Sequence, residues 1–204
     1  MKYELRIMNK DNKKEDMKNQ QYKNTYQIDQ SGKIEQTNIK TVIAAANGEI
    51  KAVIIPAKEK RKLQEIFRRI GKTQLFIDAV FSVALYFLFK QLNKSASVVN
   101  VDTEYPGHTE IIYKMISKLS KREISINWVF VGKSSVAHEA GYRIYKEKLK
   151  IGRVLTFEDI AERVIKIAGG YLNAGLSPAN RHSDPANRNN ISKKRNKVKT
   201  HKKR

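Results

Sequence analysis

The sequence contains no cysteine. That absence excludes disulfides, thiolate-held metals and a cysteine nucleophile. It is compatible with a reducing interior, and the expected location is cytoplasmic. Residues 1–24 are charged and lack the apolar segment of a secretory leader. The most hydrophobic stretch, residues 75–89, is short for a bilayer and carries Asp78 and Ser82. A buried helix is expected there and no membrane span. Acids are also scarce: 20 Asp and Glu stand against 41 Lys and Arg, a formal charge of +21.

The excess of positive charge is uneven. Residues 181–204 carry +9, residues 1–24 carry +3, and the body between them keeps about +9. A field of that size attracts polyanions, so nucleic acid is the expected partner and an anionic membrane is not. The length suits one main domain with extensions. Residues 1–24 read as a basic extension with one short possible strand at 1–8. Residues 25–176 read as the domain and 177–204 as a disordered basic tail.

Hydrophobic periodicity orders the domain. Residues 25–36, 40–46 and 50–56 read as three strands, the first with a polar break at Ser31 and Gly32, the last two joined by an Asn-Gly turn. They form an antiparallel meander. Leu63, Ile66, Phe67 and Ile70 recur at helical spacing opposite a face of lysines and arginines, and Gly71 ends that helix. A longer apolar helix covers 73–92. A strand at 97–102, a helix at 108–120, a strand at 124–131 and helices at 134–148 and 156–172 follow. Thr156 and Asp159 have capping-box spacing. The final helices are expected to cover one face of the sheet.

Acids at strand ends are the candidates for chemistry. Asp29 lies in the first strand, Asp102 ends the fourth, Glu104 follows in the turn, and Glu139 lies on the helix after the fifth strand beside His138. Divalent ions need several converging oxygens, which rigid strand ends supply. Each acid also has a plain structural explanation: a turn, a cap, or for Glu139 a pair with Arg143 one turn on. Glu35 and Glu49 read as solvent-facing. The segment GKSS at 132–135 offers Lys133, Ser134 and free N–H groups at a helix start, which favour phosphate. It lacks the upstream glycine of a P-loop. Trp128 and Tyr105 have the chemistry to stack on bases, but Trp128, in an alternating strand, fits a core position better.

The layout and these segments together resemble the ribonuclease H-like superfamily, which includes ribonuclease H and Holliday junction resolvases. YQIDQSG is similar to the family's first strand with its leading aspartate, VVNVDTEYPG to the fourth strand with its acid, and INWVFVGKSSVAHEAGYRIYKEKL to the fifth strand, loop and last helix. The resemblance implies an α/β fold: a mixed five-stranded sheet in the order 3-2-1-4-5, strand 2 antiparallel, flanked by helices. It implies a metal-dependent nuclease with Asp29, Asp102, Glu104, His138 and Glu139 as catalytic residues. Asp29, Asp102 and Glu139 would hold Mg²⁺ or Mn²⁺. Lys133, Ser134, Arg143 and, in the tail, Lys193, Lys194 and Arg195 would contact nucleic acid. The sequence departs from the family in the first helix, where Glu59 and Glu65 sit among basic residues, and in lacking the final aspartate. A non-catalytic nucleic-acid or ribonucleoprotein component is therefore the alternative, and a protein-interaction module a third.

The tail yields a test. If about half of its ten basic residues engage phosphates, truncation after Pro178 lowers the salt slope of log affinity for duplex DNA by roughly 4 to 5. The melting transition survives if the tail lies outside the folded domain, as expected of its composition. An unchanged slope rejects a nucleic-acid arm; a lost transition makes the tail part of the fold.

Overall fold

The computed structural model describes residues 25–174, with side chains to residue 167. The expectations for residues 1–24 and for the tail, Lys193, Lys194 and Arg195 included, lie outside the described residues. The chain runs β1 (Tyr26–Ser31), β2 (Thr41–Ala46), β3 (Ile50–Ile55), α1 (Ala57–Arg69), a 3₁₀ turn (Thr73–Leu75), α2 (Phe76–Phe89), β4 (Val98–Asp102), α3 (Thr109–Leu119), β5 (Ser125–Val129), α4 (Val136–Tyr145), β6 (Arg153–Val154) and α5 (Phe157–Ala174).

The strands form one mixed six-stranded sheet in the order β5-β4-β1-β2-β3-β6. β2 is antiparallel to both neighbours, while β1, β4 and β5 run parallel. The expected order of the first five strands is therefore the observed one. β6 was not expected. Its two residues are exposed, and what makes them a strand is parallel pairing with β3 at Val53 and Ile54.

Helices cover both faces unequally. α2 is buried at every position except Ile77 and Tyr86. A helix that is apolar all round must be enclosed by other elements, and α2 lies between the sheet and helices α3 and α5. Its polar residues are satisfied within this layer: Asp78 accepts from His108 Nδ1 at 2.7 Å and Ser82 Oγ donates to Ile112 O at 3.3 Å. α5 joins this layer, with Ile160, Val164 and Ile167 in the main core and Thr156 and Asp159 in a reciprocal capping box. α4 alone lies on the opposite face, packed on β1, β2 and β3. The last two helices thus divide between the faces instead of sharing one, because the short β6 carries the chain round the β3 edge between them.

Alternation along the strands gives the two faces different chemistry. Ile28, Ile43, Val53, Val99 and Val101 enter the main core. Asp29, Ser31, Ala44, Asn100 and Asp102 belong to the α4 face. The β4–β5 half of that face is polar and open: Ser125 and Asn127 are exposed, and Asn127 Nδ2 donates to Asn100 Oδ1 at 3.1 Å.

The loop between β1 and β2 is fixed by a buried lysine. Gly32, at φ +77°, turns the chain; a Cβ there would meet Lys40 O at 2.4 Å, so only glycine fits. Lys60, on the buried side of α1, donates to Lys33 O (2.7 Å), Gln36 O (2.9 Å) and Thr41 Oγ1 (2.8 Å). Burial lowers its pKa to about 8. Replacing it strips a charged donor from three acceptors, so Lys60→Ala should cost about 3 kcal/mol in urea unfolding. A loss below about 1 kcal/mol would show that the loop holds itself.

Candidate metal centre

β1 and β4 run parallel with Ile28 in register with Val101. The next residue on each strand is an acid, so Asp29 and Asp102 come side by side on the α4 face. The chain then turns after Asp102, with Thr103 N donating to Val129 O (2.8 Å) and Glu104 N to Asp102 O (2.9 Å). That tight turn folds Glu104 back over the strand end. One carboxylate oxygen from each of Asp29, Asp102 and Glu104 lies within 4.8 Å of the others.

Electrostatics show the strain of this grouping. Burial, then the charges of Asp102 and Asp29, push Glu104 up to about 7, with Lys33 opposing them only in part. Asp29, only 4% exposed, is raised first by burial and further by Asp102, while His138 pulls the other way. Three hard oxygen donors that resist sharing negative charge are the donor set a divalent cation fits.

Neighbouring groups orient the acids. The Val131 N–H donates to Asp102 Oδ1 at 2.6 Å. His138 Nδ1 lies 3.1 Å from Asp29 Oδ2, where an ionised Asp29 accepts the ring N–H. His138 sits in the first turn of α4, capped by Ser135, whose Oγ accepts from His138 N at 3.0 Å. Glycine at residue 141 eases this close approach: a Cβ there would lie 3.1 Å from Ser31 Oγ, a tight contact, and 3.9 Å from Asp29 Oδ2.

Among the sequence candidates, Asp29, Asp102 and Glu104 are brought together, with His138 on Asp29. Glu139 is exposed and is not one of the three. The buried stripe of α4 is Ala137, Ala140, Gly141 and Ile144, so position 139 projects away from the sheet. Lys133, Ser134 and Arg143 are exposed, and the cap of α4 is Ser135. Tyr105 and Trp128 both belong to the core: Tyr105 packs edge-on against Phe81 and bonds Gln30, Ile34 and Glu35, and Trp128 packs against the main cluster. In α1, Glu59 pairs with Lys62 at 3.0 Å and Glu65 with Arg69 at 3.1 Å, so neither joins the site. Sequence reasoning missed Gly141, whose signal was a glycine inside a helical pattern, and the Val131 N–H, which has no side-chain signal.

Compared with known protein families, curated proteins and solved structures, the chain matches none. Among the described residues, no helix is long and apolar enough to cross a membrane.

The raised pKa of Glu104 has a sign that can be checked. Its folded value, about 7, exceeds the ordinary 4.5, so the folded protein binds the extra proton. The contribution is fully present below 4.5 and is lost as pH rises through about 7. Metal-free protein should therefore lose stability across that window, and Glu104→Gln should not show this loss. Mn²⁺ at about 100 times its Kd should raise the Tm by roughly 5–10 °C above pH 7. The shift should shrink below pH 7 as protons compete, and vanish in Glu104→Gln. Equal Mn²⁺ shifts in both proteins would reject Glu104 as a ligand.

Proposed function

We propose that this chain is a ribonuclease H-like nuclease that hydrolyses phosphodiester bonds of RNA or DNA with divalent ions held by carboxylates. The observation that carries this reading is the convergence of Asp29, Asp102 and Glu104 within 4.8 Å where β4 ends beside β1, its parallel neighbour. The strand order β3-β2-β1-β4-β5 supports it, as does the basic body.

In this reading Asp29, Asp102 and Glu104 would hold Mg²⁺ or Mn²⁺, Glu104 taking the place expected of Glu139. When bound there, the ion supplies Lewis-acid polarisation of phosphate oxygens and activation of water. The chain's own residues hold the geometry. Val131 N–H fixes the Asp102 carboxylate, and His138 fixes Asp29 and keeps its negative charge tolerable. With Nδ1–H given to Asp29, the Nε2 of His138 remains a proton acceptor. Lys133, Ser134 and Arg143, all exposed, would position the phosphate backbone.

A second reading has an observation of its own. The acids of α1 are spent in ion pairs with Lys62 and Arg69, and the described cluster stops at three carboxylates. That favours a non-catalytic component that binds nucleic acid with the same fold.

Labelled RNA, DNA, hybrid and four-way junction substrates with Mg²⁺ or Mn²⁺ decide between them. Asp102→Asn should lower cleavage by more than about 100-fold. Its affinity should stay within about threefold, because the acid places metal while basic residues bind the strand. If every substrate remains intact, the binding reading replaces the nuclease.

A further inference from the structure

Six of the chain's seven phenylalanines are buried or half-buried; Phe130 is 88% exposed. A lone exposed apolar residue is ordinary. The place of this one is not. It opens the 130–135 turn between β5, the edge strand, and α4. Both ends of that turn are tied to the carboxylate cluster. Val131, the next residue, holds Asp102 through its N–H at 2.6 Å. Ser135 caps His138, which bonds Asp29. The turn is closed on itself by Ser135 N donating to Gly132 O at 2.9 Å. A short, braced turn thus presents an aromatic ring to solvent one residue from a group that orients the site. Lys133 and Ser134 are exposed beside it. Tyr105, next to Glu104, and Trp128, on β5, pack in the main core instead.

An aromatic face followed by a lysine matches the repeating chemistry of a nucleic-acid strand, base then phosphate. We infer that Phe130 stacks on an unpaired base of the strand entering the carboxylate site, with Lys133 on the adjoining phosphate, so that the preferred substrate is single-stranded or locally unpaired there. This rests on the nucleic-acid reading above and narrows its substrate class. A base inside a duplex is covered on both faces by its neighbours, whereas a free base offers a face to the ring. Phenylalanine has no donor or acceptor, so the contact is tolerant of sequence.

The test uses the full chain with labelled 12-nucleotide single strands of DNA and RNA, an abasic strand with the same phosphates, and a blunt duplex, all in Ca²⁺. Phe130→Ala should weaken binding to base-bearing single strands by about five- to a hundredfold. It should leave binding to the abasic strand and the Mn²⁺ shift in Tm unchanged. Phe130→Trp should restore binding, and Phe130→Leu, apolar without a ring face, should not. Equal affinity of Phe130→Ala and the parent chain for base-bearing strands overturns the inference, as does failure of the parent chain to bind any strand. Rescue by leucine equal to tryptophan also overturns it, leaving a docking point for an apolar protein surface. Persistence of the Phe130 effect in a chain that cleaves nothing sinks only the nuclease reading. Mn²⁺-dependent cleavage and binding both unaltered in Phe130→Ala sink only this inference.

Discussion

Three carboxylates whose oxygens approach within 4.8 Å repel one another, and this cluster lies where water screens them poorly. Most of the local architecture can be understood as accommodation of that repulsion. A backbone N–H from Val131 takes up one charge, an imidazole from α4 takes up another, and Glu104 keeps its proton up to about 7. Each device comes from a different segment, so the cluster ties the β5–α4 turn, the first turn of α4 and the turn after β4 to a single point. A protein seeking stability alone would gain by replacing such a group with neutral residues. Retaining it is physically reasonable where a cation is to be received.

The scaffold makes this possible by separating apolar and polar work between the two faces of the sheet. The enclosed helix α2, with α3 and α5, supplies the main core on one face. The other face needs only a small apolar cluster beneath α4, built from Val42, Ala44, Ala52, Ala140 and Ile144. Because that cluster covers β1 to β3, the β4–β5 half is free to carry Asn100, Asp102, Ser125 and Asn127. Under the proposed function, a nucleic-acid strand approaching the carboxylates would meet amides and hydroxyls there, groups that bind phosphate and sugar without reading sequence.

How much of this was legible follows from which forces act locally. Strands β1 to β3 and the helices were readable because their apolar spacing matches a period of 2 or 3.6. Asp29 and Asp102 could be paired because two parallel strands at the sheet centre leave few arrangements of their ends. Glu104 was harder, since its position depends on a turn closed by Thr103 and Glu104 N–H groups. Glu139 and His138 are adjacent in sequence but 100° apart on a helix, and which of them reaches Asp29 depends on where α4 starts. The cap at Ser135 decides that phase. β6 carries no pattern of its own and exists through pairing with β3. Phe130 reads as one more alternating strand residue, and only the end of β5 at Val129 leaves it in solvent.

The distance between α4 and the sheet is the quantity on which the site's chemistry turns. It is set by small residues: Gly141, Ala137 and Ala140 on the helix, and Ser31, Ala44 and Ala52 beneath them. The His138–Asp29 contact is 3.1 Å, near the outer end of a good N–H···O bond. A methyl group at position 141 would press on Ser31 Oγ at 3.1 Å, and where that hydroxyl does not turn aside the helix lifts or rotates to relieve it. A lift of even half an ångström carries the imidazole beyond bonding range. Asp29 would then keep its burial and its repulsion from Asp102 without the partner that offsets them. The carboxylate would hold its proton to higher pH and compete less well for a cation. Packing volume at a residue that touches no ligand thereby sets the charge state of one that does.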